Sequence, residues 1–121
     1  MPKKKKISGT DFEMYIYPTI RKNFPLREGW EILQNEEIKA GRSIIRPDFV
    51  VEKRKVYAVI DAKDKASLEP RDIDQILYYA EKTKAREAAI YIANDTKVPR
   101  TVKDYANSNG VKIQRTCWRI S

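Results

Sequence analysis

Two dense apolar blocks, held apart by four charged residues, constrain this chain more than any other feature. Ile44 to Val51 and Val56 to Lys63 flank Glu52-Lys53-Arg54-Lys55. Each block has strand length and is rich in β-branched residues, so the pair predicts a β-hairpin. No Asn-Gly or Asp-Gly marks the turn type. With the turn centred between Arg54 and Lys55, Phe49 faces Ile60, Val50 faces Val59 and Asp48 faces Asp61. Side chains alternate faces along a strand. One face of the ribbon then carries Pro47, Phe49, Val51, Ala58, Ile60 and Ala62. The other carries Arg46, Asp48, Val50, Val59, Asp61 and Lys63. A slip of one residue would break the match between the strands, so the register is well specified.

That register creates a physical problem. Directly opposed carboxylates have Cβ atoms ~4.5–5.5 Å apart, and like charges placed so are destabilising. Val50 and Val59 beside them imply a partly dry site, which worsens the repulsion. Three remedies are open. One carboxyl takes up a proton, Lys63 and Arg46 neutralise the pair, or a divalent cation binds between them. The plainer alternative is a surface ion cluster, with Lys63 two residues from Asp61 on the same face.

The rest of the chain supplies a frame for the ribbon. Thr10-Asp11-Phe12-Glu13 has the form of a helix-capping box, with Thr10 as N-cap. Phe12, Ile16 and Ile20 then recur at helical spacing, with Pro18 placed to kink or split the helix. Pro25 and Gly29 mark its exit. Trp30 to Leu33 reads as a strand, and Gly41 as a turn. Pro70 opens a second helix running to about Lys84, with Ile73, Ile76, Leu77 and Ala80 as its buried stripe. Ala88 to Ala93 is a short strand. Pro99 opens a third helix, with Val102, Tyr105 and Ala106 facing inward and Gly110 ending it. Val111 to Gln114 is a further strand, and Cys117 to Ile120 a candidate for another. The expected fold is α/β, a central mixed sheet flanked by helices in the order αβββαβαβ. It comprises a basic N-terminal arm over residues 1–9 and a single domain over 10–121.

Composition narrows the chemistry. The 121 residues contain no histidine and one cysteine, Cys117. A Cys/His zinc site, an intrachain disulfide and any histidine-based nucleophilic scheme are excluded. A metal here takes mainly oxygen ligands, which points to magnesium, manganese or calcium. Cys117 itself reads as an inert small hydrophobe. The net charge is +8, half of it from Lys3, Lys4, Lys5 and Lys6. The remainder is still basic, so a phosphate-bearing polymer is the first partner to weigh against a mere solubility charge. The lysine arm fits a phosphate contact, a nuclear address or solvated disorder equally. No apolar run is long enough for a membrane span, and no secretory signal follows the lysines. A reducing compartment is expected: cytoplasmic and nucleoid-associated, or nuclear if the source is eukaryotic or a eukaryotic virus.

Arg46-Pro47-Asp48, then Val59-Ile60-Asp61-Ala62-Lys63 after a hairpin, resembles the PD-(D/E)-x-K nuclease superfamily, whose core is restriction-endonuclease-like. Glu13 on the first helix matches a Glu common in that superfamily. Gln75-Ile76-Leu77-Tyr78-Tyr79 resembles the Gln-x-x-x-Tyr motif of the RecB-type branch. Asp61-Ala62-Lys63-Asp64-Lys65 followed by Asp72-Ile73-Asp74-Gln75 is also similar to the nuclease subunit of methylcytosine-dependent restriction systems. The likeness runs from about Asp11 to Gln114.

The resemblance implies Mg²⁺- or Mn²⁺-dependent hydrolysis of phosphodiester bonds in DNA, by an endonuclease. It implies Asp48, Asp61, the backbone carbonyl of Ala62 and Glu13 as metal ligands. Lys63 would orient or deprotonate the attacking water, and Gln75 would fix substrate or water. Lys65, Arg71, Arg46, Tyr79 and Lys3 to Lys6 would contact nucleic acid. Plainer roles stand beside these. Glu13 also fits as the capping partner of Thr10, Gln75 as a solvated helix residue, and Tyr78 as helix–sheet packing. Trp30 and Trp118 read as core or sheet-edge residues ahead of base-stacking platforms. Rival readings of the whole are a non-catalytic nucleic-acid-binding module, or a nuclease subunit of a larger restriction, repair or phage assembly. RNA remains an alternative substrate. A homodimer or a partner subunit would lend specificity to so small a domain.

Overall fold

A computed structural model describes residues 11–118. The lysine arm, Thr10 as N-cap, and residues 119–120 of the expected last strand lie outside the described residues. Helix α1 spans Asp11–Asn23, and a short 3₁₀ turn covers Leu26–Glu28. Strands β1 (Glu31–Gln34), β2 (Ile38–Ala40), β3 (Ser43–Ile45), β4 (Phe49–Lys53) and β5 (Lys55–Lys63) follow. Then come α2 (Pro70–Thr83), β6 (Glu87–Ile92), α3 (Arg100–Ser108) and β7 (Val111–Arg115).

Five strands form one mixed sheet in the order β1-β4-β5-β6-β7. The pairs β1–β4 and β4–β5 are antiparallel. The pairs β5–β6 and β6–β7 are parallel. Parallel neighbours need a crossover, which α2 and α3 provide. Without the small β2–β3 ribbon the order is the expected αβββαβαβ. This is an α/β fold with a restriction-endonuclease-like core.

The sheet is covered on both faces, which explains why its central strands read as nearly continuous apolar runs. Phe49, Val51, Ala58 and Ile60 pack with Phe12, Ile16 and Ile20 of α1. Val50 and Val59 pack with Ile73 and Ile76 of α2 and Val102 and Ala106 of α3. The second face of the ribbon is therefore core at Val50, Val59 and Asp61 and only half-buried at Asp48 and Lys63, the partly dry site expected.

The hairpin holds the expected register where it matters and departs from it at the turn. Phe49 pairs with Ile60, Val50 with Val59 and Val51 with Ala58. Nearer the turn the register shifts, so that Glu52 pairs with Val56 and Lys53 with Lys55. Arg54 alone makes the turn, with φ of 71°. The turn is thus centred on Arg54 and not between Arg54 and Lys55. An extra residue in β5 at the bulge, Tyr57, offsets that displacement.

Other expectations are corrected. The block Ile44 to Val51 is not one strand. Ser43–Ile45 pairs with Ile38–Ala40 in a separate ribbon, whose turn includes Gly41 at φ 65°. Pro47, with no N–H to give a ladder, separates β3 from β4. Pro18 does not split α1. Pro18 and Met14 are both exposed, so the carbonyl deprived of its donor faces solvent, and the stripe Phe12, Ile16, Ile20 stays buried. Tyr105 does not face inward: it is 38% exposed and its hydroxyl donates to Asp74 on α2. Tyr78 is exposed, and its hydroxyl reaches Ser43 of the small ribbon at 3.2 Å in place of packing on the sheet. Cys117 is exposed, and neither it nor Trp118 belongs to a strand.

Candidate active site

The end of β5 and the bend that precedes β4 meet at the edge of the core. Pro47 releases the chain from the ladder just before Asp48, so both carboxylates turn onto the neighbouring strand's backbone. The Asp48 N–H donates to Asp61 Oδ1 at 3.1 Å. The Ala62 N–H donates to Asp48 Oδ2 at 2.8 Å. The two acids are thus interlocked across the ribbon, each accepting from the other's strand. In a strand the N–H and C=O of one residue point to the same side. The Ala62 carbonyl therefore also points toward Asp48, past the last ladder pair.

Burial dominates the electrostatics. Asp61 is 2% exposed. Desolvation, then the charges of Asp61 and Glu13, push the Asp48 carboxyl up to about 7. Desolvation also raises Asp61, against the Asp48 amide and Lys63, which lower it. The Tyr79 hydroxyl is raised by its own burial and then by the charges of Asp61 and Asp48, so it too borders the pair.

EndoMS, solved in complex with double-stranded DNA, shares this fold. The TM-score is 0.54 at 16% identity, covering 93% of this chain and 47% of EndoMS. A protein of unknown function, AF1548, gives a TM-score of 0.53 at 20% identity, over 80% of this chain and 54% of its own. This chain thus spans about half the length of either structure. No family model matches it, and no curated protein does.

On the fold shared with EndoMS, the remaining candidate residues fall into two sets. Lys63, Gln75, Glu13 and Tyr79 gather round the acidic pair. Lys63 Nζ donates to Gln75 Oε1 at 3.0 Å and lies 4.0 Å from Asp72. Gln75 is exposed, and Tyr79 follows it by one turn of α2. Glu13 is buried, and its Oε1 accepts from Asn35 Nδ2 at 2.8 Å. Its charge reaches both aspartates. Among the described residues, however, no group of three carboxylates is tight enough to hold a metal by itself.

Lys65, Arg71 and Arg46 are instead tied to acids. Lys65 bridges Glu69 at 2.8 Å and Asp72 at 2.9 Å, which raises its pKa. Arg71 meets Glu69 at 3.0 Å. Arg46 meets Glu37 at 2.8 Å and so does not neutralise the aspartates.

Three supporting residues escaped sequence reasoning. Asn35 adopts φ of 55°, donates its N–H to the Asp48 carbonyl at 2.9 Å, and holds Glu13 with its side chain. It thus ties α1 to the acidic bend. Nothing local signals a contact across that distance in sequence, although Asn tolerates this conformation better than most residues. Asp72 forms a capping box with Glu69 at the start of α2 and anchors Lys65. The sequence Glu69-Pro70-x-Asp72 carried that signal. Thr96, 1% exposed, donates to the Lys65 carbonyl at 2.7 Å and fixes the loop after β5. It had no local signature.

Proposed function

We propose that this chain is a Mg²⁺- or Mn²⁺-dependent nuclease hydrolysing phosphodiester bonds of DNA, acting as an endonuclease of the PD-(D/E)-x-K type. One observation carries the reading: two interlocked, largely buried aspartates with a lysine two residues further along the same strand. Left to themselves, those acids repel. The donor set suits a hard divalent ion, being all oxygen and carrying negative charge that Lys63 offsets only in part. Magnesium commonly takes one or two carboxylates and keeps its remaining waters, so a third carboxylate is not required.

In this reading Asp48, Asp61 and the Ala62 carbonyl hold the ion, and Glu13 adds negative potential from α1. When bound, the ion supplies Lewis-acid catalysis and a lowered pKa of water. Lys63, oriented by Gln75, positions the attacking water and donates to phosphate oxygens as negative charge builds on them. Preorganised donors of that kind are worth several kcal/mol of barrier (~3–4 for one) because they need no reorganisation. Asn35 keeps Glu13 at its post. For Lys65 and Arg71 to meet phosphate, Glu69 and Asp72 must release them. The lysine arm and Arg46 would add phosphate contacts, and a second copy or a partner subunit would supply target choice.

The test is a panel of single-stranded, duplex, branched and circular substrates with Mg²⁺ or Mn²⁺. Cleavage of circular DNA, abolished by EDTA, is expected. Branched-only cleavage would move the reading to junction resolution. A strong, salt-sensitive and metal-independent gel shift without product would replace it with a non-catalytic binding module.

A further inference from the structure

Among the described residues six basic side chains are ion-paired and many are not, but only in one place do five of the unpaired ones line a common cleft. Lys53, Arg54, Lys55, Lys84 and Arg86 line a cleft of about 840 Å³ between the β4–β5 turn and the end of α2. No carboxylate lines it, and among the described residues none of the five is ion-paired. Two of them, Arg54 at φ 71° and Lys84 at φ 59°, hold a left-handed backbone that side chains disfavour. Glycine would suit either turn better, yet both carry a cation into the same cleft. Its floor is aromatic. Trp30 and Tyr57 meet with ring centroids 5.3 Å apart, and Lys53 Nζ lies 4.3 Å from the centre of the Trp30 ring.

We infer that this cleft is a second nucleic-acid site, which takes a single-stranded segment with its phosphates on the five cations and a base against Trp30 and Tyr57. It is independent of the proposed cleavage reaction. Cations flanking aromatic rings are the recognised chemistry of single-strand binding, because every base offers a ring face. Five free cations exceed what a terminal phosphate of about two charges would neutralise, which favours a polymer over a mononucleotide. The Lys53 ammonium already sits where a base would stack, and it exposes the ring when it moves to phosphate. The cleft lies at the opposite end of β5 from Asp61. Lys55 and Asp61 are six positions apart, roughly 20 Å of strand. A strand held there would reach the acidic pair only several nucleotides away.

The test is titration of the full chain with a labelled oligothymidine 12-mer in EDTA, where no cleavage competes. Binding is expected to quench tryptophan fluorescence, and the quench is expected to vanish in Trp30→Phe. The exposed pair Lys55→Gln and Arg86→Gln is expected to weaken binding at least tenfold. It should also flatten the salt dependence by about 1.4 in log–log slope, near 0.7 per lost phosphate contact. Unchanged affinity in that double variant, with Trp30 still quenched, overturns the inference. So does an equal quench by dextran sulfate, which has charge but no bases and would mark a mere anion patch.

Discussion

Asp48 is the residue on which the account turns, and its titration has a definite sign. Its carboxyl stands near 7 in the folded protein against 3.8 for an unperturbed aspartate. Between those values the folded state binds the more protons, so raising pH through that window removes stability. Below about pH 4 the group is neutral in both states and the full benefit is present. In metal-free protein, Asp48→Asn is therefore expected to match the parent in Tm near pH 4 and to exceed it at pH 8. The amide keeps an acceptor for the Ala62 N–H. Differential scanning calorimetry in EDTA checks this, and a variant that melts lower than the parent at pH 8 would contradict it. A second residue-scale expectation concerns Asn35. Asn35→Gly keeps the positive φ but removes the hydrogen bond from Asn35 Nδ2 to Glu13. On the proposed reading, cleavage of DNA should fall tenfold or more while Tm moves by only a few degrees, and equal cleavage by both proteins would remove Asn35 from the site.

At the scale of elements, the ribbon shows how much could be read in the sequence. The assumed turn gave the pairing, and the alternation of Phe49, Val51, Ala58 and Ile60 on one side with Val50 and Val59 on the other supported it. The turn was misplaced because no side chain announces a lone Arg54 at positive φ or a bulge at Tyr57. The acidic pairing was still legible, because the bulge offset the turn. Tyr105 was misread for a different reason. Its spacing matches Val102 and Ala106, but a phenol long enough to reach Asp74 is served better at the rim. The contacts from Asn35 to Glu13 and from Thr96 to the loop after β5 were closed to local reasoning, since they join distant segments. Helix α1 carries its own prediction. Pro18 withholds a donor in mid-helix on the solvent side, at a cost of up to ~3 kcal/mol. Pro18→Ala should raise stability in urea by about 1–3 kcal/mol and leave any cleavage activity unchanged. A destabilised variant would show that the proline shapes the packing of α1.

At the scale of the whole molecule, one end of β5 carries the buried acidic pair and the other end faces the five cleft cations that have no ion pair among the described residues. On the proposed reading, the net charge of +8 attracts the DNA polyanion and the acidic pair takes a cation before phosphate approaches. Affinity for DNA should accordingly fall steeply between 50 and 200 mM salt, by about tenfold or more, while divalent binding falls less. The central claim, that Asp48 and Asp61 together take a doubly charged ion, is tested most directly by calorimetric titration of the DNA-free protein with Mn²⁺. The account predicts one saturable site per chain in the parent and none in Asp61→Asn, with both proteins folded by circular dichroism. The same heat of binding in both would contradict it.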